Sequence, residues 1–186
     1  MEEQKSFMIW IVDPSDNKGY LLQTFSSAAV TVDNDPRTFA ATAIGTSTFT
    51  AGNKISVSGC SDSTNNGTFT LETVAANLLT VTEETATEVA GASVVINDFY
   101  EGTWRSIRPF SLLTGTIIAS QACTLYIDQS RDGINIDHTD TIVVGSAVAE
   151  AWQYDVVVGG YGRIRILNGS TDQTTMRCIL NGKVNA

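Results

Sequence analysis

The chain has 186 residues, 42% hydrophobic and 17% charged, with a formal net charge of −9 and an isoelectric point near 4.4. That length holds one large domain or two small ones, and the apolar share is enough for a buried core. So acidic a surface excludes the basic face that nucleic acid or an anionic membrane needs from a partner.

Thr and Val, stiff at χ1 and suited to a pleated surface, fill the places that charge vacates, so the expected class is all-β. The first apolar run, F-M-I-W-I-V from Phe7 to Val12, predicts a short strand that D-P-S-D-N-K-G ends in a turn. It is too short for a membrane span and lacks a signal peptide's basic start, so a soluble product of the cytoplasm is expected. Gly19 to Phe25 (G-Y-L-L-Q-T-F) predicts a second strand. In F-T-A-G-N-K-I-S-V-S-G, Ile55 and Val57 alternate with polar residues, and N-N-G at Asn65 to Gly67 supplies positive-φ residues for a tight hairpin. Thr68 to Val74 alternates with period two, setting Phe69, Leu71 and Thr73 on one face. Leu78 to Thr82 and Ala92 to Ile96 complete a set of short strands that reads as a small barrel-like module or a compact sandwich.

After N-D-F-Y-E-G the arginines return. Strands are expected at Trp104–Phe110, Leu113–Ala119, Thr124–Gln129, Asp140–Val148, Trp152–Val158, Gly162–Leu167 and Thr174–Leu180, with a hairpin turn at Asn168 and Gly169. Spacing near ten residues is that of a β-sandwich. From Ser26 to Asp98 two basic residues (Arg37, Lys54) face eight acidic ones, a net of −6; from Phe99 onward seven face eight, a net of −1. A lone hairpin cannot bury its apolar residues in water. The expected organisation is therefore an antiparallel sandwich of jelly-roll or immunoglobulin-like type, residues 99–186, joined by N-terminal strands from residues 1–25. Residues 26–98 form an acidic insertion.

D-Q-S-R-D-G, Asp128 to Gly133, starts with the spacing of a calcium loop, with oxygens at Asp128, Ser130 and Asp132. The twelfth position, which needs a bidentate acid, is Thr139, with Asp137 and Asp140 off register. A hairpin with Gly133 at positive φ explains the same residues without metal, and that reading is preferred. His138 is the sole histidine, in a polar D-H-T-D stretch, and no nucleophile motif accompanies it. Carboxylates drawn from Asp128, Asp132, Asp137 and Asp140 would suit glycoside hydrolysis. They read as exposed turn residues, with no apolar pocket to raise an acid's pKa. Cys60, Cys123 and Cys178 are widely spaced and odd in number, which points to buried free thiols over a zinc site or disulfide framework. No catalytic residue, metal or cofactor is expected. Arg163 and Arg165 alternate in G-R-I-R-I-L, sharing one face while Ile164 and Ile166 face the core, and Arg105, Arg108 and Arg177 also fall on strands. These arginines read either as an ordinary solvated sheet face or as a positive docking face for an acidic partner.

The stretch from Phe49 to Ile96, with T-A-G-N-K-I-S-V-S-G-C-S-D-S-T-N-N-G-T-F-T-L-E-T-V and L-L-T-V-T-E-E, resembles a β-module of tailed-bacteriophage virion proteins. T-L-Y-I-D-Q-S-R-D-G-I-N-I-D and G-R-I-R-I-L-N-G resemble phage structural sandwiches, with Ile136 where an aromatic often follows D-G-x-x. The resemblance implies a non-enzymatic virion structural protein, assembled into the particle. The resemblance does not separate head from tail parts; the preferred reading is capsid decoration by a homo-oligomer, trimeric on capsid three-folds, docked on the major capsid protein or other virion proteins through Arg105, Arg108, Arg163 and Arg165. A tail, fibre or baseplate protein binding host glycan through Tyr161, Trp152 or Tyr154 is the alternative. A wall-polysaccharide hydrolase using an Asp pair ranks behind both.

Overall fold

The computed structural model describes residues 6–12, 22–45, 49–91 and 93–184, the first group as backbone. The turn expected at Asp13 to Gly19 lies outside these residues. Among them the regular structure is β apart from one 3-10 turn, Ser63–Asn65, and no helix is long and apolar enough to cross a membrane. The chain divides into two compact units. The sandwich unit comprises Met1–Leu21, Glu101–Ile166 and Gln173–Ala186; the acidic unit comprises Leu22–Tyr100 and Leu167–Asp172.

The acidic unit contains β2 (Thr24–Ser27), β3 (Thr31–Asn34), β4 (Arg37–Ala40), β5 (Lys54–Ser58), β6 (Gly67–Ala75), β7 (Leu78–Val81) and β8 (Val94–Glu101), whose last residue belongs to the sandwich unit. Hydrogen bonding orders them β2-β8-β5-β6-β7-β4-β3, an open antiparallel path and not a closed barrel. Alternation supplies the core: Ile55, Val57, Phe69, Leu71, Leu79, Val81, Val94 and Ile96 are all buried. Phe39 meets Phe69 edge-on, with ring centroids 5.2 Å apart. Thr73 is exposed, because the register of β6 against β7 shifts between Leu71 and Thr73. In N-N-G the positive φ expected there falls on Gly67, at +142, and not on the asparagines. Asn66 has φ −102, and the asparagines act through their side chains. Asn65 amide binds Ala86 O and Glu88, while Asn66 amide and carbonyl bind Cys60.

The sandwich unit begins with β1 (Ser6–Val12) and continues with β9 (Arg105–Ser106), β10 (Leu112–Ala119), β11 (Cys123–Ser130) and β12 (His138–Val144). β13 (Val148–Asp155), β14 (Tyr161–Asn168) and β15 (Met176–Lys183) follow, the last two residues of β14 belonging to the acidic unit. One sheet runs β1-β15-β10-β13, and the other places β11 between β12 and β14, with β9 on β14. β1 thus pairs with β15, whereas β2 pairs with β8, so the segment from Phe7 to Phe25 gives one strand to each unit. Leu113, Ile117, Ala119, Cys178 and Leu180 from the first sheet, with Leu125, Ile127, Val144, Ile164 and Ile166 from the second, are buried. Trp152 lies over Gly115 in the register pair Gly115–Trp152, and a Cβ on that glycine would stand 2.2 Å from the indole. The glycine leaves the room that the indole occupies.

Candidate functional site

β14 carries G-R-I-R-I-L, and its alternation divides the arginines from the isoleucines. Ile164 and Ile166 are fully buried, and Arg163 and Arg165 share the other face. That face is not presented outward. The neighbouring β11 places Asp128 beneath it, fully buried, and both guanidiniums close on this carboxylate. Arg163 Nε donates to Asp128 Oδ2 at 3.0 Å; Arg165 donates through Nε at 2.5 Å and Nη2 at 2.7 Å. Thr139 Oγ1 adds a hydrogen bond at 2.7 Å. Arg163 also pairs with Glu101 and lies over the Trp104 ring, 4.4 Å from its centroid, while Arg165 lies over Tyr126 at 4.9 Å. Burial alone would raise the Asp128 carboxyl. The Arg165 and Thr139 hydrogen bonds, the Arg165 charge and the Arg163 hydrogen bond outweigh it and hold the group below the ordinary carboxylate range. The arginine side chains are 13% and 18% exposed. They stitch the sheet internally, unlike a solvated face.

Asp128 therefore belongs to a strand and not to an exposed turn, and its oxygens are engaged away from any calcium loop. Asp132 sits in the turn, where its Oδ1 accepts from Ile134 N at 2.8 Å and Asn135 N at 2.9 Å, and its Oδ2 from Asn135 Nδ2 at 2.8 Å. Those amides, with Ser130 Oγ, hold the Asp132 carboxyl far below its ordinary range. Gly133 has φ +74 and faces the Tyr161 ring, as a left-handed turn position requires. Asp137 pairs with Arg131, and His138 Nε2 lies 3.2 Å from Asp140 on β12. Among the described residues no three His, Cys, Asp or Glu side chains gather where they could hold a metal ion. Cys60, Cys123 and Cys178 are free and buried, and burial pushes the Cys60 and Cys123 thiols up to about 11.

Several exposed loops of the sandwich unit are tied together around Gln129. Gln129, fully buried, spans them: its Nε2 donates to Asp155 O at 3.0 Å, and its Oε1 accepts from Val157 N and Val158 N at 2.9 Å each. Its backbone carbonyl accepts from Asp137 N, and Ile107 N donates to Gly160 O. These bonds bring the loops around residues 105–109, 131–137 and 156–160 together. They present Ile134, 78% exposed, and Val157, 66% exposed. Arg108 lies 5.6 Å from the centroid of Tyr161, and Arg105 is exposed on β9. Of the four arginines singled out in the sequence, two thus stand among these loops and two are consumed inside the sheet. Trp152 is buried, which removes it from any glycan-facing set. Glu101 and Gln129 are residues that the sequence reading missed, and Asp128, read there as a turn residue, is the buried partner of Arg163 and Arg165. A charged or amide side chain in the apolar frame T-L-Y-I-D-Q-S, beside a strand reading R-I-R, is the signal that could have found two of them.

No curated protein matches the chain. The profile of a family described as "Uncharacterised protein YqxG N-terminal domain" matches residues 74–183, from the end of β6 to the end of β15. That span is more than half of the chain, and it includes Asp128, both of its arginines and the whole loop cluster. The chain belongs to this family.

Proposed function

We propose that the chain is a non-enzymatic structural protein of a tailed-bacteriophage particle, a capsid decoration or auxiliary head protein that binds and stabilises the shell. The likeness of its β-module and of its D-Q-S-R-D-G hairpin to virion proteins supports the class. The observation that carries the mode of action is the loop cluster. Exposed Ile134 and Val157 stand on turns locked by Asp132 and Gln129, so little order is lost when the loops meet a partner. Docking falls to Arg105 and Arg108 around this apolar tip, while Arg163 and Arg165 keep the underlying sheet in register. Copies assembled as a homo-oligomer, a trimer at capsid three-folds, would gain avidity from several such tips at once.

The tail or baseplate reading uses the same tip and differs in its partner. Electron microscopy of intact particles made where this gene is expressed separates the two. Density for the chain over the head shell sustains decoration, and density at the tail alone moves the assignment there. Absence of the chain from purified particles overturns both.

A further inference from the structure

The acidic unit holds a second carboxylate that the loop cluster does not use. Asp98, on β8, is 5% exposed. Its Oδ2 accepts from Gln23 N at 2.8 Å, and its own N–H donates to Gln23 O at 2.9 Å. Its Oδ1 is buried without a hydrogen-bond partner. The next amide along the chain, Thr24 N, donates to a different carboxylate, Asp172 Oδ1, at 2.7 Å. Thr24 Oγ1 and Asn168 Nδ2 tie the same few residues to Asn97, Gly169, Leu22 and Thr171. Two acids thus grip consecutive amides where the chain enters the unit.

An ionised carboxylate with a buried, unpartnered oxygen is costly, whereas a protonated one leaves a neutral group there. We propose that Asp98 and Asp172 form a proton-dependent clamp on residues 22–24, seated when Asp98 carries its proton and loosened when it ionises. Among the described residues of the packed strands no cation shares the face of Asp98. On β5, Ile55 is opposite Asp98, and Lys54, opposite Phe99, falls on the other face. β2 and the two residues before it bring no ionisable group. The 167–172 segment brings Asp172, a second negative charge. Burial, opposed by the Gln23 hydrogen bond and reinforced by Asp172, moves Asp98 from 3.8 to about 7. Because the seated state binds its proton more tightly than the open one, the clamp is strongest below 3.8 and weakens as pH rises towards 7. Above that it changes no further. The device stands apart from the virion reading and survives or fails without it.

The test is NMR amide exchange on the full chain from pH 5 to 8, corrected for intrinsic rates. Opening at Gln23 and Thr24 should increase by up to ~10-fold per pH unit, because a unit of pKa difference is a factor of ten, and level off near 7. The Glu88 amide, bonded to Val32 O in the same unit, should not follow. Asp98→Asn should flatten the profile, and Asp172→Asn should bring the plateau to lower pH. A flat profile in the unaltered protein, an unchanged one in Asp98→Asn, or equal loosening at Glu88 overturns the clamp. Should Asp98→Asn fail to fold, carbon-13 titration of the Asp98 carboxyl in the unaltered chain decides the matter. A midpoint near 7 sustains it and one near 3.8 overturns it.

Discussion

Asp128 satisfies two guanidiniums and a hydroxyl from a fully buried position, so its charge is worth more to the fold than a surface carboxylate's. Asp128→Asn would take from Arg165 the carboxylate it binds through two nitrogens and leave Arg163 with Glu101 alone of its two acids, and a loss of about 3–5 kcal/mol is expected in urea unfolding. Its pH signature is opposite to that of Asp98. A lowered carboxyl stabilises fully above its unfolded value of 3.8 and loses that contribution as pH falls through the folded value. Acid unfolding of the parent below about pH 4 should therefore include a component that Asp128→Asn lacks. Gly115 makes a different case, decided by space. With the Trp152 ring 2.2 Å from a would-be Cβ, Gly115→Ala should cost about 1–3 kcal/mol, read as a lowered melting temperature.

At the scale of elements, strand and loop ask different things of the arginines. Arg105→Glu with Arg108→Glu changes exposed side chains, so stability should move by less than about 0.5 kcal/mol while binding to the particle is lost. Arg163→Glu should instead unfold the sheet that supports them, because it sets three carboxylates together at Asp128 and Glu101. Alternation made much of this legible. The β-sandwich class, the runs of β5, β6, β10, β11 and β14, and the split of Ile164 and Ile166 from Arg163 and Arg165 all follow from period two. Periodicity was silent where side chains bond across long separations. β3 and β4 are four residues each, too short to show a period, and Trp104 to Phe110 gave only the two-residue β9. The inward turn of Asp128 depends on arginines 35 and 37 positions away, and Gln129 on a loop 26 to 29 positions on. No local window contains such partners.

The whole chain passes from one unit to the other and back twice, at residues 21–22, 100–101, 166–167 and 172–173. Neither unit is a contiguous piece. A fragment of residues 22–100 would lack Asn168 and Asp172, which hold Leu22 and Thr24. In that fragment the Thr24 amide should exchange freely, while the full chain protects it. The charges divide with the units: the acidic one carries Arg37 and Lys54 against nine carboxylates. Such self-repulsion is screened by salt, so added sodium chloride should protect this unit's amides more than those of the sandwich.

A single buried amide at position 129 performs the service that a further rung of sheet would otherwise give to residues 155–158. Because it grips main-chain atoms, the side chains of that loop are released from any duty to the fold. Val157 and Gly159 could therefore change identity freely from one relative to another, giving each a new contact surface over an unaltered frame.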